Sequence, residues 1–199
     1  MQIILASQSP RRRELLGQMG FTGFEIRPAK GEEIIDPTLH PAQLVEELSR
    51  QKAIEVSQTV RPDALVIAAD TVVSVEERVL GKPGSEEEAR EMLRSLSGQT
   101  HTVYTGVTLS CGARQITEHE ATQVRFRVLT EEEIAAYVQT GEPMDKAGAY
   151  GIQGIGSLLV EGIEGDYFNV VGLPVCRLGQ MLRKFGIDAL AQCAGKERA

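Results

Sequence analysis

The run Ala64-Leu65-Val66-Ile67-Ala68-Ala69 is apolar without alternation, and a strand of that pattern has to be covered on both faces. Asp70 follows where the apolar side chains stop, so a carboxylate is expected at the strand's end, half out of water. Val72–Val75 and Arg78–Leu80 then flank Glu76-Glu77, a pattern that predicts a hairpin returning Gly81-Lys82-Pro83 to the same end of the sheet. Asp70 and Lys82 would face one cleft.

The segment before this run breaks a local rule. Gln2 to Ala6 reads as a buried strand, and Ser7-Gln8-Ser9-Pro10 supplies a turn, an N-cap serine and a first-turn proline for a helix to about Gly17. Arg11-Arg12-Arg13 fill its first turn, where the macrodipole disfavours each exposed cation by about 0.3 to 1 kcal/mol. A helix N-terminus with a serine and arginines is a phosphate cradle. The alternative is that the arginines are solvated or paired with acids such as Glu14.

From Pro41 to about Val56 a helix carries the stripe Leu44, Val45, Leu48, Ala53, Val56. Lys52 continues the row of Leu44 and Leu48, on or beside the buried face; it either snorkels to water or extends into a cleft to meet phosphate. Glu32 and Glu33, in the acidic loop before this helix, read by themselves as a solvated pair. Ser85–Glu88 and Thr130–Glu133 are capping boxes that open two further helices. Thr100–Ser110 and Thr117–Val128 read as strands, which with the 72–80 hairpin imply a mixed sheet.

Glu142 to Gly156, EPMDKAGAYGIQGIG, is a long glycine-rich loop of the kind that lies close to a ligand or moves. Gln153 is either a reader of a nucleobase edge, through its paired donor and acceptor, or an exposed loop glutamine. Leu158–Ile163 and Tyr167–Val171 predict a hairpin across Glu164-Gly165-Asp166. A final helix follows Gly172-Leu173-Pro174. One domain, 1–188, is expected, with 189–199 a frayed tail.

The 199 residues carry a formal charge of -7, which argues against a nucleic-acid or membrane-surface binder. No apolar run approaches the roughly 18 residues of a membrane span, and the first residues lack a secretory signal, so a cytoplasmic protein is expected. Cys111, Cys176 and Cys193 are odd in number and widely spaced, supporting neither disulfides nor a metal knuckle. His40, His101 and His119 show no metal-ligand spacing, and His101 reads as a strand residue.

Several ordered motifs carry a resemblance: Ser7-Gln8-Ser9-Pro10-Arg11-Arg12, Ala69-Asp70-Thr71, Gly81-Lys82-Pro83, Leu96-Ser97-Gly98, Asp145 through Gly154, Gly165-Asp166-Tyr167 and Asn169-Val170-Val171-Gly172-Leu173-Pro174. From about Ile3 to Ile187 the chain resembles the Maf (septum-formation inhibitor-like) nucleoside triphosphate pyrophosphatases. The resemblance implies a two-lobed α/β fold, a curved mixed β-sheet flanked by helices with a nucleotide-binding cleft, and often a homodimer. It also implies hydrolysis of a nucleoside triphosphate to monophosphate and pyrophosphate, with a divalent cation, magnesium before manganese.

The Gly-Ile-Gln-Gly form of the late loop is similar to the branch acting on dTTP, UTP and modified pyrimidine nucleotides, with Arg11, Thr71 and Gln153 at its specificity positions. By that resemblance Asp70 is the proton acceptor, and Glu33 and Asp70 hold the metal. Ser9, Arg11, Arg12, Lys52 and Lys82 meet the phosphates, and Thr71 and Gln153 border the base. Two other readings remain open at this stage, a nucleotide-binding regulator of septum formation and a purine (ITP/XTP) pyrophosphatase.

Overall fold

The computed structural model describes residues 1–36, 38–76 and 78–196; Glu77 of the predicted turn and the last three residues of the predicted tail lie outside that set. In chain order the strands are β1 (Ile3–Leu5), β2 (Glu25–Ile26), β3 (Leu65–Val75), β4 (Arg78–Leu80), β5 (Thr100–Cys111), β6 (Arg114–Phe126) and β7 (Val160–Glu164). The helices are α1 (Pro10–Gln18), α2 (Pro41–Ser57), α3 (Glu86–Leu96), α4 (Glu131–Gln139), α5 (Tyr167–Val171), α6 (Val175–Lys184) and α7 (Ala189–Lys196). The strands form one open mixed sheet in the order β2-β1-β3-β5-β6-β7, with β4 also beside β3.

The predicted strand does not stop at Asp70. Antiparallel pairing with β5 runs unbroken from Val66↔Ser110 to Ser74↔Thr102, so Asp70 sits in mid-strand and is only 9% exposed. The other edge of β3 changes partner. Parallel β1 leaves it after Leu5↔Ile67, and antiparallel β4 joins it only from Val73↔Leu80. Between those points no strand among the described residues lies beside this edge of β3.

Alternation along β3 sorts its side chains between two layers. Val66 and Ala68 pack with Ala53 and Val56 of α2, and Val72 packs with Leu44, Val45 and Leu48 of the same helix. On the opposite face, Leu65, Ile67 and Ala69 join Leu15 and Leu16 of α1 and Leu178, Met181 and Leu182 of α6. Further along that face, Val73 and Val75 belong to a separate core with α3 and α4. Burial of each large apolar side chain is worth about 1.5–3 kcal/mol over exposure, so the two cores on this face are both substantial. Thr71 lies between them.

Local signals account for the helix starts. The Ser9 hydroxyl accepts from the Arg12 N–H, and Pro10 occupies the first turn of α1. Thr130 and Glu133 form the expected capping box of α4. At α3 the Ser85 hydroxyl accepts from the Glu88 N–H, while the Glu88 carboxylate takes the N–H of Gly84, one residue earlier than a capping box would.

Two expectations are corrected. Tyr167–Val171 is a helix, not the second arm of a hairpin, and β7 pairs with β6 instead. The Asp166 side chain caps the Phe168 N–H at 2.8 Å, and Gly172, at φ 121°, ends the helix. The tail from Ala189 to Lys196 is helical, because the Asp188 carboxylate accepts from the N–H groups of Leu190 and Ala191.

Gly106 pairs with Asp70 and lets α2 lie close on the sheet. A Cβ there would stand 2.2 Å from the Val45 carbonyl oxygen and 2.7 Å from the Glu46 nitrogen, both backbone atoms. Gly106→Ala is expected to destabilise the fold by about 1–3 kcal/mol, as read by urea unfolding.

His101 is the strand residue it was expected to be, buried against Phe126 and Tyr150. Its Nε2 shares a 2.8 Å hydrogen bond with the Tyr150 hydroxyl, and burial pushes its pKa down to about 4. The unfolded chain, with an ordinary histidine near 6.5, then binds more protons between these values. Stability from this group is therefore complete above about pH 6.5 and is lost as pH falls towards 4, by about 3 kcal/mol. Unfolding measured from pH 7 to 4.5 should show a smaller loss in His101→Gln than in wild type.

Candidate active site

At the unpaired edge of β3 the protein opens into a cleft of about 1030 Å³. All nine residues singled out from the sequence, Ser9, Arg11, Arg12, Glu33, Lys52, Asp70, Thr71, Lys82 and Gln153, line it. Adjacent residues on a strand point to opposite faces, so Asp70 is on the α2 side and Thr71 on the α1 side. Both faces of β3 thus serve the same opening.

On the α2 side, the Lys52 ammonium donates to Asp70 Oδ1 and lies 2.8 Å from Glu33 Oε1. Lys52 neither snorkels to water nor waits free for phosphate; it points inward because the buried Asp70 carboxylate needs a counter-charge. The Glu33 that reads as part of a solvated pair is instead the second acid on this ammonium. Two carboxylate oxygens therefore converge on a single cationic point. Asp70 Oδ2 has no hydrogen bond to a described residue.

On the α1 side, Arg12 is committed mostly to the protein. Its Nε donates to the Gly172 carbonyl at 2.8 Å, Nη1 to the Ala69 carbonyl at 2.9 Å and Ser7 Oγ at 3.2 Å, and Nη2 to Thr71 Oγ1 at 2.9 Å. The Ala69 carbonyl faces the gap between β1 and β4, so the guanidinium replaces a missing strand. Burial lowers the Arg12 pKa, and the Asp70 charge opposes that shift. One of five guanidinium N–H groups is left for a ligand. Thr71 Oγ1 also shares a 2.8 Å hydrogen bond with Thr105 Oγ1, which fixes its hydroxyl.

The far wall comes from the glycine-rich segment, which is three short 3₁₀ turns, Glu142–Asp145, Ala147–Ala149 and Gly154–Leu159. Its Asp145 Oδ2 accepts from Arg11 at 3.2 Å, and its Oδ1 accepts from Lys146 at 2.6 Å. Burial acts to raise the Asp145 pKa, but hydrogen bonding from Lys146 and the charge of Arg11 outweigh it, and the carboxyl is held below its usual range. Lys146 lines the cleft as well. Neither residue was assigned a task from sequence, although both stand in the Asp145–Gly154 motif. Gly148 donates its N–H to the Gly81 carbonyl at 3.0 Å, docking this wall beside Lys82. The Gln153 side chain is exposed and has no hydrogen bond to a described residue.

Five cations, Arg11, Arg12, Lys52, Lys82 and Lys146, and four acids, Glu33, Asp36, Asp70 and Asp145, line the opening. No cluster of three or more His, Cys, Asp or Glu suited to a metal ion occurs among the described residues. The Glu33–Asp70 pair nevertheless suits a hard divalent ion, which takes one or two carboxylates and completes its shell with water and phosphate oxygens.

The fold is an open mixed α/β sheet flanked by helices, and its cleft has the Glu33 and Asp70 carboxylates paired through Lys52 among further basic side chains. The chain belongs to the Maf family: the family described as Maf-like protein matches residues 2–185. It is 55% identical to a dTTP/UTP pyrophosphatase of Agathobacter rectalis, over 94% of this chain and 98% of that protein. It is 51% identical to a dTTP/UTP pyrophosphatase of Bacillus cereus, over 94% and 97%. Among solved structures, a HAM1 protein from Coxiella burnetii aligns with a TM-score of 0.45 at 17% identity, over 63% of this chain and 73% of that one, a likeness too weak to bear on activity. No helix among the described residues is long and apolar enough to cross a membrane.

Arg12→Lys keeps the charge but cannot span Gly172, Ala69, Ser7 and Thr71 at once. A loss of about 2 kcal/mol or more is expected, measured by chemical denaturation of the ligand-free protein.

Proposed function

We propose that this protein hydrolyses dTTP and UTP, and modified pyrimidine nucleotides of the same shape, to the monophosphate and pyrophosphate. The observation that carries the reading is the convergence of Asp70, Glu33 and Lys52 on one point inside a cleft walled by Arg11, Arg12, Lys82 and Lys146. Membership of the Maf family and the names of its half-identical relatives support the same activity.

Water adds to the α-phosphorus, the bond from that phosphorus to the α–β bridging oxygen breaks, and pyrophosphate departs with the electron pair, leaving the nucleoside monophosphate. Asp70 takes the water's proton through the oxygen that Lys52 does not hold. Glu33 and Asp70 would hold a divalent cation, magnesium before manganese. That ion supplies charge neutralisation to the phosphate oxygens when bound. Lys82, Arg11 and the α1 N-terminus with Ser9 bind phosphate, and the remaining N–H of Arg12 reaches the same region. Thr71 and Gln153 border the base. Phosphoryl chemistry of this type depends on positioning and charge more than on covalent steps, which suits a site of pre-placed side chains.

Asp70→Asn is expected to lower turnover by about a thousandfold, while an α,β-non-hydrolysable UTP analogue still binds by calorimetry. Near-wild-type turnover in the folded variant would remove Asp70 as base. Pyrophosphate release measured on dTTP, UTP, CTP, ITP, XTP and GTP tests the substrate class. A purine preference overturns the pyrimidine reading, and no release from any of them leaves the protein a nucleotide-binding regulator.

A further inference from the structure

The Glu142 carboxylate is not part of the cleft lining, yet it holds the loop that carries Gln153 from behind. Its Oε1 accepts from the Tyr137 hydroxyl at 2.9 Å and the Gly156 N–H at 3.0 Å, and its Oε2 accepts from the Ile155 N–H at 3.1 Å. The Tyr137 oxygen in turn accepts from the Gly151 N–H at 3.2 Å. Hydrogen bonds thus bracket Gln153 at residue 151 and at residues 155 and 156.

Two glycines allow this closeness. A Cβ at Gly154, whose φ is +68°, would stand 2.8 Å from Glu142 Oε2, and one at Gly156 would stand 2.5 Å from the Tyr137 oxygen. Apolar packing reaches this segment on one side of Gln153, at Ile152, but not on the other, since residues 153–155 are all exposed. Burial acts to raise the Glu142 pKa, and the Gly156, Tyr137 and Ile155 donors outweigh it, so the carboxyl is held below its usual range. Tyr137 itself is buried in the α3–α4 core, which ties the anchor to the rigid part of the fold.

We propose that Glu142, seated on Tyr137, is a positioning residue for substrate selectivity: it fixes the backbone of residues 151–156 so that Gln153 presents its amide to a pyrimidine. This rests on Gln153 reading the base. A positioning group of this kind affects the choice between bases more than the chemical step, because it touches neither the phosphates nor the attacking water.

The test compares Glu142→Gln, Tyr137→Phe, Gln153→Ala and the double variant Glu142→Gln/Gln153→Ala in the full chain. The readout is kcat and KM for UTP and GTP with magnesium. Glu142→Gln keeps one acceptor oxygen but sets its NH₂ against the N–H of either Ile155 or Gly156, which then loses its acceptor; Tyr137→Phe removes one donor and one acceptor and keeps the ring, which covers the case that the first variant fails to fold. Each single variant is expected to cut the UTP-over-GTP ratio of kcat/KM about tenfold, with KM for UTP rising more than kcat falls. The double variant should cut it no further. Hydrogen exchange at Ile155 and Gly156 should quicken in Glu142→Gln.

Should Gln153→Ala lower the ratio while folded Glu142→Gln and Tyr137→Phe leave it intact, the positioning role is wrong and the base reading stands. An unchanged ratio in Gln153→Ala overturns the base reading and the positioning role with it. A roughly hundredfold, additive drop in the double variant would show Glu142 acting apart from Gln153, which also overturns the proposal.

Discussion

Strand β3 has to be paired for eleven residues, and on one of its edges no single strand can do it. Parallel β1 covers the first part and antiparallel β4 the last. A parallel neighbour and an antiparallel one reach the edge from opposite directions, so their junction leaves a gap at residues 68–72. Backbone groups left there need other partners. Arg12 supplies one at the Ala69 carbonyl, and the cleft occupies the rest. The site is thus where the sheet changes sense, an opening of the same origin as ligand crevices at switch points in other α/β sheets.

Asn169 fastens the two cores at this junction. Its Nδ2 donates to the Val103 carbonyl and to Thr122 Oγ1, both at 3.0 Å, and its main-chain carbonyl accepts from Thr105 Oγ1 at 3.1 Å. Thr105 also meets Thr71, and Thr71 meets Arg12. A connected polar chain therefore runs from α5 through β5 and β3 to α1. Polar groups in such a chain are costly to leave unpaired, so each member holds the next in one arrangement, and α1 with its arginines is fixed relative to Asp70.

Much of this was legible in the residues. The unalternating run named β3, the Ser-Pro turn named α1, and the spacing of Leu44, Leu48 and Lys52 put a lysine on the inward face of α2. Most of what was not legible depends on partners distant in sequence, and one element on short-range caps set against propensity. An aspartate after six apolar residues reads as a strand end unless Lys52 and Gly106 are known to lie against it. Arg12 reads as a phosphate ligand because nothing nearby in sequence reveals the carbonyls of Ala69 and Gly172. Tyr167–Val171 has the β-branched and aromatic residues of a strand, and its helix follows from Asp166 at the N-cap and Gly172 at the end, two short-range signals that outweigh propensity over five residues.

The cleft's charges are largely spent on one another before any ligand arrives. Asp145 holds Arg11 and Lys146, Lys52 bridges Glu33 and Asp70, and Arg12 is taken up mainly by neutral acceptors. Lys82 is the one cleft cation with neither an ion pair nor a side-chain hydrogen bond among the described residues, while Arg12 has hydrogen bonds but no ion pair there. A protein with a net charge of -7 can then take a polyanion without presenting a basic face: the ligand exchanges partners with acids already in place. Exchange gains less than filling an open cationic pocket, since a phosphate that binds Arg11 displaces the Asp145 carboxylate from the same cation. Charge therefore cannot be what separates one nucleoside triphosphate from another, all of which bring the same phosphates. Selectivity has to come from the part of the opening where shape and hydrogen-bond polarity differ between bases, which under the function proposed above is where Thr71 and Gln153 stand.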